Sequence, residues 1–254
     1  MSNFAPAVDN AIKLIEKLAD EKEPVGVSEL SRKLGINKNM VFRILNSLEA
    51  SGWVHCSNQP DKKYQLSLRP FNVTSKALCT MSLSSVATPL VYDLWKQTGE
   101  CTYLAIKSGD KLTYIQHLDG TGNVRVAGTV GGTYELYCSA PGKIILAYSD
   151  EAFIGEYTSR RHKKNTKNTI TTKKELLSEL EKVRSQGYAT DNEEFGNGIV
   201  CVSAPIFDYT GSLVGAVGCS VSTVTHTFES VMDDIKPLVI DTAAKISLSL
   251  GYTK

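Results

Sequence analysis

Two short helical patterns separated by a three-residue turn lie near the N-terminus of the chain. The first runs from Ser28, a residue type that caps helix N-termini, to Gly35, which can adopt the left-handed conformation that ends a helix. The second runs from about Asn37 to Gly52, with apolar residues at helical spacing on one side. This arrangement predicts a helix-turn-helix over about residues 27–46, a motif whose second helix can enter the DNA major groove.

The flanking segments extend this motif to a winged helix. A helix that begins at Pro6 precedes it, and two strand-like runs, WVHCS and KYQLSL, follow it. The turn-forming residues 58–61 separate these runs, so they predict a hairpin, the wing. Residues 1–68 are therefore predicted to form a winged helix-turn-helix domain.

The charges of this domain are unevenly placed. Between Leu30 and Leu48 the chain carries four cationic residues and no carboxylate, although its net charge is only +1. Cations attract phosphates, and side chains at the start of the second helix reach base edges. Solvated helix faces often carry such residues, but the full winged-helix order favours DNA binding. The predicted DNA-facing residues are Ser28, Arg32, Asn37, Lys38, Asn39, Met40, Phe42, Arg43, Asn46, Lys62 and Lys63.

Three of these residues receive a more specific interpretation. The amide of Asn39 is the best candidate for reading a base, and Arg43 is the best candidate for a phosphate or a guanine. Phe42 has two possible roles: its ring could touch a thymine methyl group or pack inside the domain.

The rest of the chain alternates between helical and strand-like patterns. We predict a linker helix over residues 69–80, and then a mixed domain over residues 81–254. In that domain a helix over Val86–Gln97 leads into the strands CTYLAIKSG, KLTYIQHLD and NVRVAGTV, and a hairpin turning at Asp208 precedes a long C-terminal helix that contains Pro237. The predicted fold class is α+β.

Composition and motifs argue against several classes of protein. No apolar run is long enough for a membrane helix, the N-terminus lacks the pattern of a signal peptide, and the six cysteines are scattered, so we expect a cytoplasmic chain with reduced thiols and no membrane partner. The histidines and cysteines show no metal-ligand spacing, so we expect no metal and no cofactor. No nucleophile–base pair is visible, and Cys201 is better explained as a buried thiol than as a nucleophile. Two other functions stay open beside DNA binding: an enzyme that acts on a small metabolite, and a protein-interaction module.

The segment Ser139-Ala140-Pro141-Gly142 opens a second notable helix, which continues from Lys143. Unpaired backbone N–H groups and the positive end of the helix dipole suit a carboxylate or a phosphate there. An ordinary solvent-capped helix start is the alternative explanation.

The residues VSELSRKLGINKNMVFRILNSLEASGWV resemble the DNA-binding domain of the IclR family of transcriptional regulators. The segments LYCSAPGKIILAY and GYATDNEEFGNGIVCVSAPIFDYTGSLVGAVGCSVS resemble the family's C-terminal domain. The resemblance implies a GAF-like effector-binding domain from about Met81, a linker helix, and homodimers or dimers of dimers. The chain departs from the family at Met40, where a Thr is common, and at Gly218, where a Ser is frequent; Asn39 takes the place of the family's DNA-facing Ser.

The resemblance also implies an effector pocket and a mode of action. The residues that would border this pocket are Val126, Tyr134, Ser139, Ala140, Pro141, Gly142, Asp191, Ile199, Cys201, Gly218 and Ser220. The implied ligand is a small organic acid, either a sugar acid or an aromatic acid. We expect this effector to control binding to double-stranded, pseudo-palindromic operator DNA, and the chain to repress a catabolic operon rather than to act as an enzyme.

Overall fold

A computed structural model of the protein describes residues 5–57, 61–70, 72–73, 82–123, 126 and 128–253. The chain divides into two compact units, Met1–Thr80 and Met81–Lys254. The predicted linker helix, residues 69–80, lies mostly outside the described residues. No helix in the described ranges is both long enough and apolar enough to cross a membrane.

The N-terminal unit packs three helices against a small antiparallel sheet of order β1-β3-β2. Its elements are α1 (Pro6–Asp20), β1 (Val25–Gly26), α2 (Val27–Leu34), α3 (Lys38–Ala50), β2 (Val54–Cys56) and β3 (Lys63–Leu66). The core contains Leu14 of α1, Leu30 of α2, Val41 and Leu45 of α3, and Tyr64 of β3. This is the predicted winged-helix order.

The turn of the helix-turn-helix has the predicted chemistry at its first and third residues, Gly35 and Asn37. Gly35 ends α2 in the left-handed conformation, with φ of 67°. Asn37 caps α3, because its side-chain oxygen accepts the backbone N–H of Asn39 at 2.9 Å.

Ser28 is not the N-cap that the sequence predicted. Val25 and Gly26 pair with Tyr64 and Lys63 of β3, so the chain passes directly from a strand into α2 at Val27. Gly26 is therefore the N-cap residue, and no side chain caps this helix end. Ser28 lies in the first turn of α2 and is exposed.

The C-terminal unit is built on a six-stranded antiparallel sheet of order β6-β5-β4-β9-β8-β7. Its strands are β4 (Cys101–Ser108), β5 (Lys111–Leu118), β6 (Thr133–Glu135), β7 (Ala189–Asn192), β8 (Ile199–Phe207) and β9 (Leu213–Ser222). Its helices are α4 (Leu83–Thr98), α5 (Ala140–Ala147), α6 (Glu151–Thr158), α7 (Lys173–Gln186), α8 (Phe228–Ser230), a π-helical turn (Val231–Ile235) and α9 (Lys236–Ser249).

Helices cover both faces of this sheet. On one side, Leu94 of α4 and Ile246 of α9 belong to the same buried core as Val217 of β9. On the other side, Ile144 of α5 and Leu180 of α7 pack in a second core. Because both faces are covered, β8 and β9 are nearly continuous apolar runs rather than alternating ones.

The sequence misplaced two features of this unit. The described residues of the run NVRVAGTV, namely 123, 126 and 128–130, are not in a strand, and the edge strand β6 lies just after them. The strand begins later than predicted because residues 129–132 form a turn. In this turn the backbone N–H of Gly132 donates to the Thr129 carbonyl, and Gly131 has a φ of 80°. The predicted long C-terminal helix is interrupted by the π-helical turn, and Pro237 lies in the first turn of α9, where its missing N–H costs little. Helix α6 and strand β7 were not predicted.

Candidate functional site

The predicted DNA-facing residues of α2, α3 and the wing are all exposed. The inner face of α3 packs into the core of the N-terminal unit, where Val41 and Leu45 are fully buried. Phe42 and Arg43, which lie between them, are exposed and point away from the core. Phe42 is 43% exposed, which favours its surface role over packing.

On α2 and α3, the free positive charge of this face comes from three residues. Lys33 is neutralised, since its Nζ lies 2.7 Å from Glu21 Oε1 and 2.9 Å from Glu29 Oε1. By contrast, Arg32, Lys38 and Arg43 form no ion pair within the described ranges. Their charges can therefore meet phosphates without first breaking an internal contact.

Two predicted DNA-facing residues are already engaged inside the unit. Asn37 uses its side-chain oxygen as the cap of α3. The sulfur atom of Met40, Sδ, accepts a hydrogen bond from the side-chain amide of Asn10 in α1 at 3.0 Å. Asn39 is exposed, and its backbone rather than its side chain makes the cap contact.

Most of the predicted effector residues meet around one small cavity in the C-terminal unit. The predicted residues that line it are Val126, Tyr134, Ser139, Pro141, Asp191, Ile199, Cys201 and Ser220. Tyr114 of β5 and Phe195, which follows β7, complete the wall and were not predicted. The cavity, called the inner cavity below, holds about 30 Å³, close to the volume of one water molecule.

Asp191 supplies the least satisfied polar group of the inner cavity. Its Oδ1 accepts the backbone N–H groups of Glu194 at 2.6 Å and of Phe195 at 3.2 Å. Its Oδ2 is buried and has no hydrogen-bond partner among the described residues. Burial raises the pKa of this carboxyl to about 7, despite those two N–H groups. A buried acceptor without a partner is costly and rare in native proteins, so this oxygen needs an explanation, and a bound ligand would provide one.

A buried ion cluster lies behind the cavity. Lys143 of α5 is fully buried, with its Nζ 2.6 Å from Glu194 Oε1 and 2.9 Å from Glu179 Oε1. Burial alone would lower the pKa of Lys143, but the two carboxylates outweigh it and raise that pKa. Burial raises the pKa of Glu194, which shares this cation with Glu179. The cluster joins α5 to α7 and to the residues after β7.

Three predicted effector residues do not line the cavity. Ala140 and Gly142 form the first turn of α5 and are buried. Gly218 of β9 is covered by Tyr103 of β4, whose hydroxyl would lie 2.5 Å from a Cβ at this position. The tyrosine thus fills the space where the family's Ser would stand, and Gly218 has a packing role.

We expect Gly218→Ala to lower the free energy of unfolding by about 1–3 kcal/mol, as overpacking does. Its Cβ would also overlap the backbone oxygen of Val202, an atom that cannot move without disturbing the pairing of β8 with β9. Gly155→Ala is the matched control: it meets no atom within 4 Å inside α6 and should stabilise the protein. Urea unfolding measures both, and equal effects of the two variants would contradict the packing role of Gly218.

The chemistry of the cavity does not resemble a nucleophilic or metal site. Cys201 Sγ lies 3.0 Å from Ser220 Oγ, and burial raises the pKa of this thiol well above its usual value. A protonated thiol is a poor nucleophile. In the described part of the chain, no cluster of three or more His, Cys, Asp or Glu side chains could hold a metal ion.

Comparisons with known proteins cover nearly the whole chain. Residues 7–55 match the IclR helix-turn-helix domain, and residues 75–248 match the family described as bacterial transcriptional regulator IclR C-terminal. The chain is 31% identical over 241 residues to the HTH-type transcriptional regulator KdgR of Escherichia coli, covering 94% of this chain and 90% of KdgR. It is 32% identical over 246 residues to the DNA-binding transcriptional repressor YiaJ of the same organism, covering 95% and 86%.

A solved structure of an IclR protein is also similar to this chain. The crystal structure of the Thermotoga maritima IclR is similar with a TM-score of 0.63 and 31% identity, covering 97% of this chain and 99% of that one. The chain belongs to the IclR family of bacterial transcriptional regulators, which makes it a DNA-binding regulator rather than the small-metabolite enzyme that the sequence left open.

Proposed function

We propose that this regulator is a cytoplasmic repressor whose operator binding is controlled by a small organic acid in the inner cavity. The single observation that carries the proposal is the buried Asp191 Oδ2, which has no partner in the described structure and lies in the wall of a cavity. The repressor role is supported by similarity to YiaJ, which is named a repressor. The working boundaries are residues 1–68 for DNA binding, 69–80 for the linker and 81–254 for sensing.

The polar groups of the inner cavity fit a hydroxylated acid. Asp191 Oδ2 can accept a hydroxyl of the ligand, and the hydroxyl of Ser220 lies on the same wall. Ser139, the N-cap residue of α5, lines the cavity, and the positive end of this helix dipole favours a carboxylate beside it. Tyr114 and Tyr134 supply apolar cover.

The inner cavity must enlarge before such a ligand can bind. Its volume of about 30 Å³ is far below the roughly 300–1,000 Å³ of ordinary ligand sites. The ligand-free and ligand-bound states therefore differ in conformation. That difference is what a regulator requires, because a ligand shifts an equilibrium only when it binds one state better than the other.

The DNA-binding half of the proposal rests on α3. Arg32, Lys38 and Arg43 supply the unpaired charge, Asn39 reads a base, and the exposed lysines of the wing contact the backbone. A homodimer or a dimer of dimers would present two such heads to pseudo-palindromic half-sites about 34–36 Å apart.

Arg43→Ala is expected to weaken binding to the DNA upstream of the protein's own gene by about tenfold or more, because one phosphate or guanine contact contributes about 1–3 kcal/mol. Fluorescence anisotropy at two salt concentrations measures the change. If Arg43 contacts a phosphate, the salt dependence should also become shallower.

Lys164→Ala is the matched control, because Lys164 is an exposed cation of the loop between α6 and α7, called the basic loop below. It should bind the same DNA as the wild type does. Equal losses in the two variants would mean that net charge, rather than the α3 face, determines DNA binding. Unchanged binding by Arg43→Ala would exclude the proposed role of this residue.

A further inference from the structure

A second and larger cavity lies beside the inner cavity. This outer groove holds about 610 Å³, and its wall includes Arg160, Arg161, Lys163 and the rings of Tyr137 and His162. Its volume is within the ordinary range for a small-molecule site. Arg160, Arg161 and Lys163 belong to the basic loop between α6 and α7, which contains none of the predicted DNA-facing residues.

The groove has a cationic rim, an aromatic wall and one carboxylate, that of Glu135, which is paired with Lys111 at 3.1 Å. Arg160 is paired with Asp110 and Glu156 at 2.7 Å each, whereas Arg161 and Lys163 form no ion pair within the described residues. Their charges are available to a bound anion.

His162 adds an unused polar atom to the groove. Its ring stacks on Tyr137 with centroids 4.4 Å apart, and its Nε2 is buried without a hydrogen-bond partner in the described structure. A flat or hydroxylated anion could contact this wall while the cations hold its carboxylate.

One side chain belongs to the walls of both cavities. Phe195 lines the outer groove and the inner cavity, and it is 38% exposed. Its backbone N–H donates to Asp191 Oδ1 at 3.2 Å, and its ring makes an edge contact with the ring of Tyr134, with centroids 5.9 Å apart. Because the ring is partly exposed, it can rotate about its side-chain bonds while the backbone hydrogen bond to Asp191 stays in place.

We propose that the outer groove is a docking site for small organic anions and that the Phe195 ring is the gate between this groove and the inner cavity. The groove captures the carboxylate of the acid, the ring moves aside, and the acid passes to Asp191. This inference rests on the proposed function of the inner cavity, and it names the route by which the ligand reaches that cavity.

Two alkylating reagents of almost equal size test the route without knowledge of the natural effector. Iodoacetate is a small organic anion, and iodoacetamide is its neutral counterpart. Both alkylate a cysteine thiolate with loss of iodide, and the raised pKa of Cys201 slows both reactions alike, so rates are compared between variants and between reagents. Cys201 lines the inner cavity, whereas Cys219 is buried in the core on the other side of the sheet and Cys56 is partly exposed in the N-terminal unit. Mass spectrometry of peptides gives the rate at each cysteine.

Removal of the gate should accelerate labelling inside the cavity. We expect Phe195→Ala to increase the rate of both reagents at Cys201 by about tenfold, equivalent to about 1.4 kcal/mol in the opening equilibrium. Phe195→Leu should give a smaller increase. Cys219 reports unfolding and should stay unlabelled in both variants. An unchanged rate at Cys201, or an equal increase at Cys219, would overturn the gate.

The cations should affect only the charged reagent. We expect the double substitution Arg161→Gln and Lys163→Gln to slow iodoacetate at Cys201 by about tenfold, relative to Cys56, and to leave iodoacetamide unchanged. Lys167→Gln, an exposed cation outside the groove, is the matched control. If both reagents slow equally, or neither does, the groove does not capture anions. None of these rates depends on DNA, so failure here leaves the operator-binding proposal standing.

Discussion

Lys143→Met is expected to lower the free energy of unfolding by about 3–5 kcal/mol, the usual cost of breaking a buried ion pair. Methionine fits the volume of the lysine stem but leaves two carboxylates without their cation. The loss should be large because Glu194 is nearly buried and has already one oxygen, Oε2, without a partner in the described structure. Urea unfolding at pH 7 measures it.

Removing the charges of the two carboxylates should recover the stability that Lys143→Met loses. Adding Glu179→Gln and Glu194→Gln to Lys143→Met removes both uncompensated charges and should restore most of the lost stability. Lys245→Met is the matched surface control, because Lys245 pairs with Asp241 in an exposed contact and its loss should cost at most about 1 kcal/mol. A loss as small as that of Lys245→Met would contradict the structural role of the cluster.

Asp191→Asn is expected to stabilise the protein above pH 7, in contrast to most substitutions of buried residues. The asparagine oxygen can still accept the N–H groups of Glu194 and Phe195, but no carboxylate has to ionise inside the cavity. Because the pKa of Asp191 is raised to about 7, the folded protein binds a proton that the unfolded chain has already released at the same pH. The wild type therefore loses stability as the pH rises from about 4 to 7.

The gain in the variant should be a few kcal/mol, with ~4 kcal/mol as an upper limit from the shift in pKa. Thermal unfolding between pH 5 and 8 measures it: the Asp191 contribution to the wild-type decline should be absent in Asp191→Asn, and the difference in Tm should reach several degrees at pH 8. Asp191→Ala, which cannot accept the two N–H groups, should gain less. A constant difference in Tm across this pH range would show that Asp191 does not titrate between pH 5 and 8, which would contradict its raised pKa of about 7.

The N-terminal unit could be predicted largely from local sequence. Gly35 and Asn37 determine the turn by their own conformational and capping preferences, so they were recognisable without a structure. The error at Ser28 arose from a long-range contact, because the pairing of Val25 with Tyr64 determines where α2 begins. Strand pairing across the unit is not visible in a local pattern.

The cavity was harder to predict. The helix start at Ser139 was visible in the residues themselves, whereas Asp191 and Cys201 were identified only through the family resemblance. Phe195 was missed because its position depends on the Asp191 carboxylate that holds its N–H. The burial of Lys143 was also invisible, since its partner carboxylates lie 36 and 51 residues away in the chain.

The most direct test of ligand control is the release of bound DNA by an acid. Wild-type protein bound to a labelled fragment from upstream of its own gene is titrated with sugar acids and aromatic acids, and fluorescence anisotropy reports the Kd for DNA. At least one acid should change this Kd for the wild type, and Asp191→Asn should bind the DNA equally well but lose the response to that acid. A response in Asp191→Asn equal to that of the wild type, or no response of the wild type to any acid, would contradict control through the inner cavity.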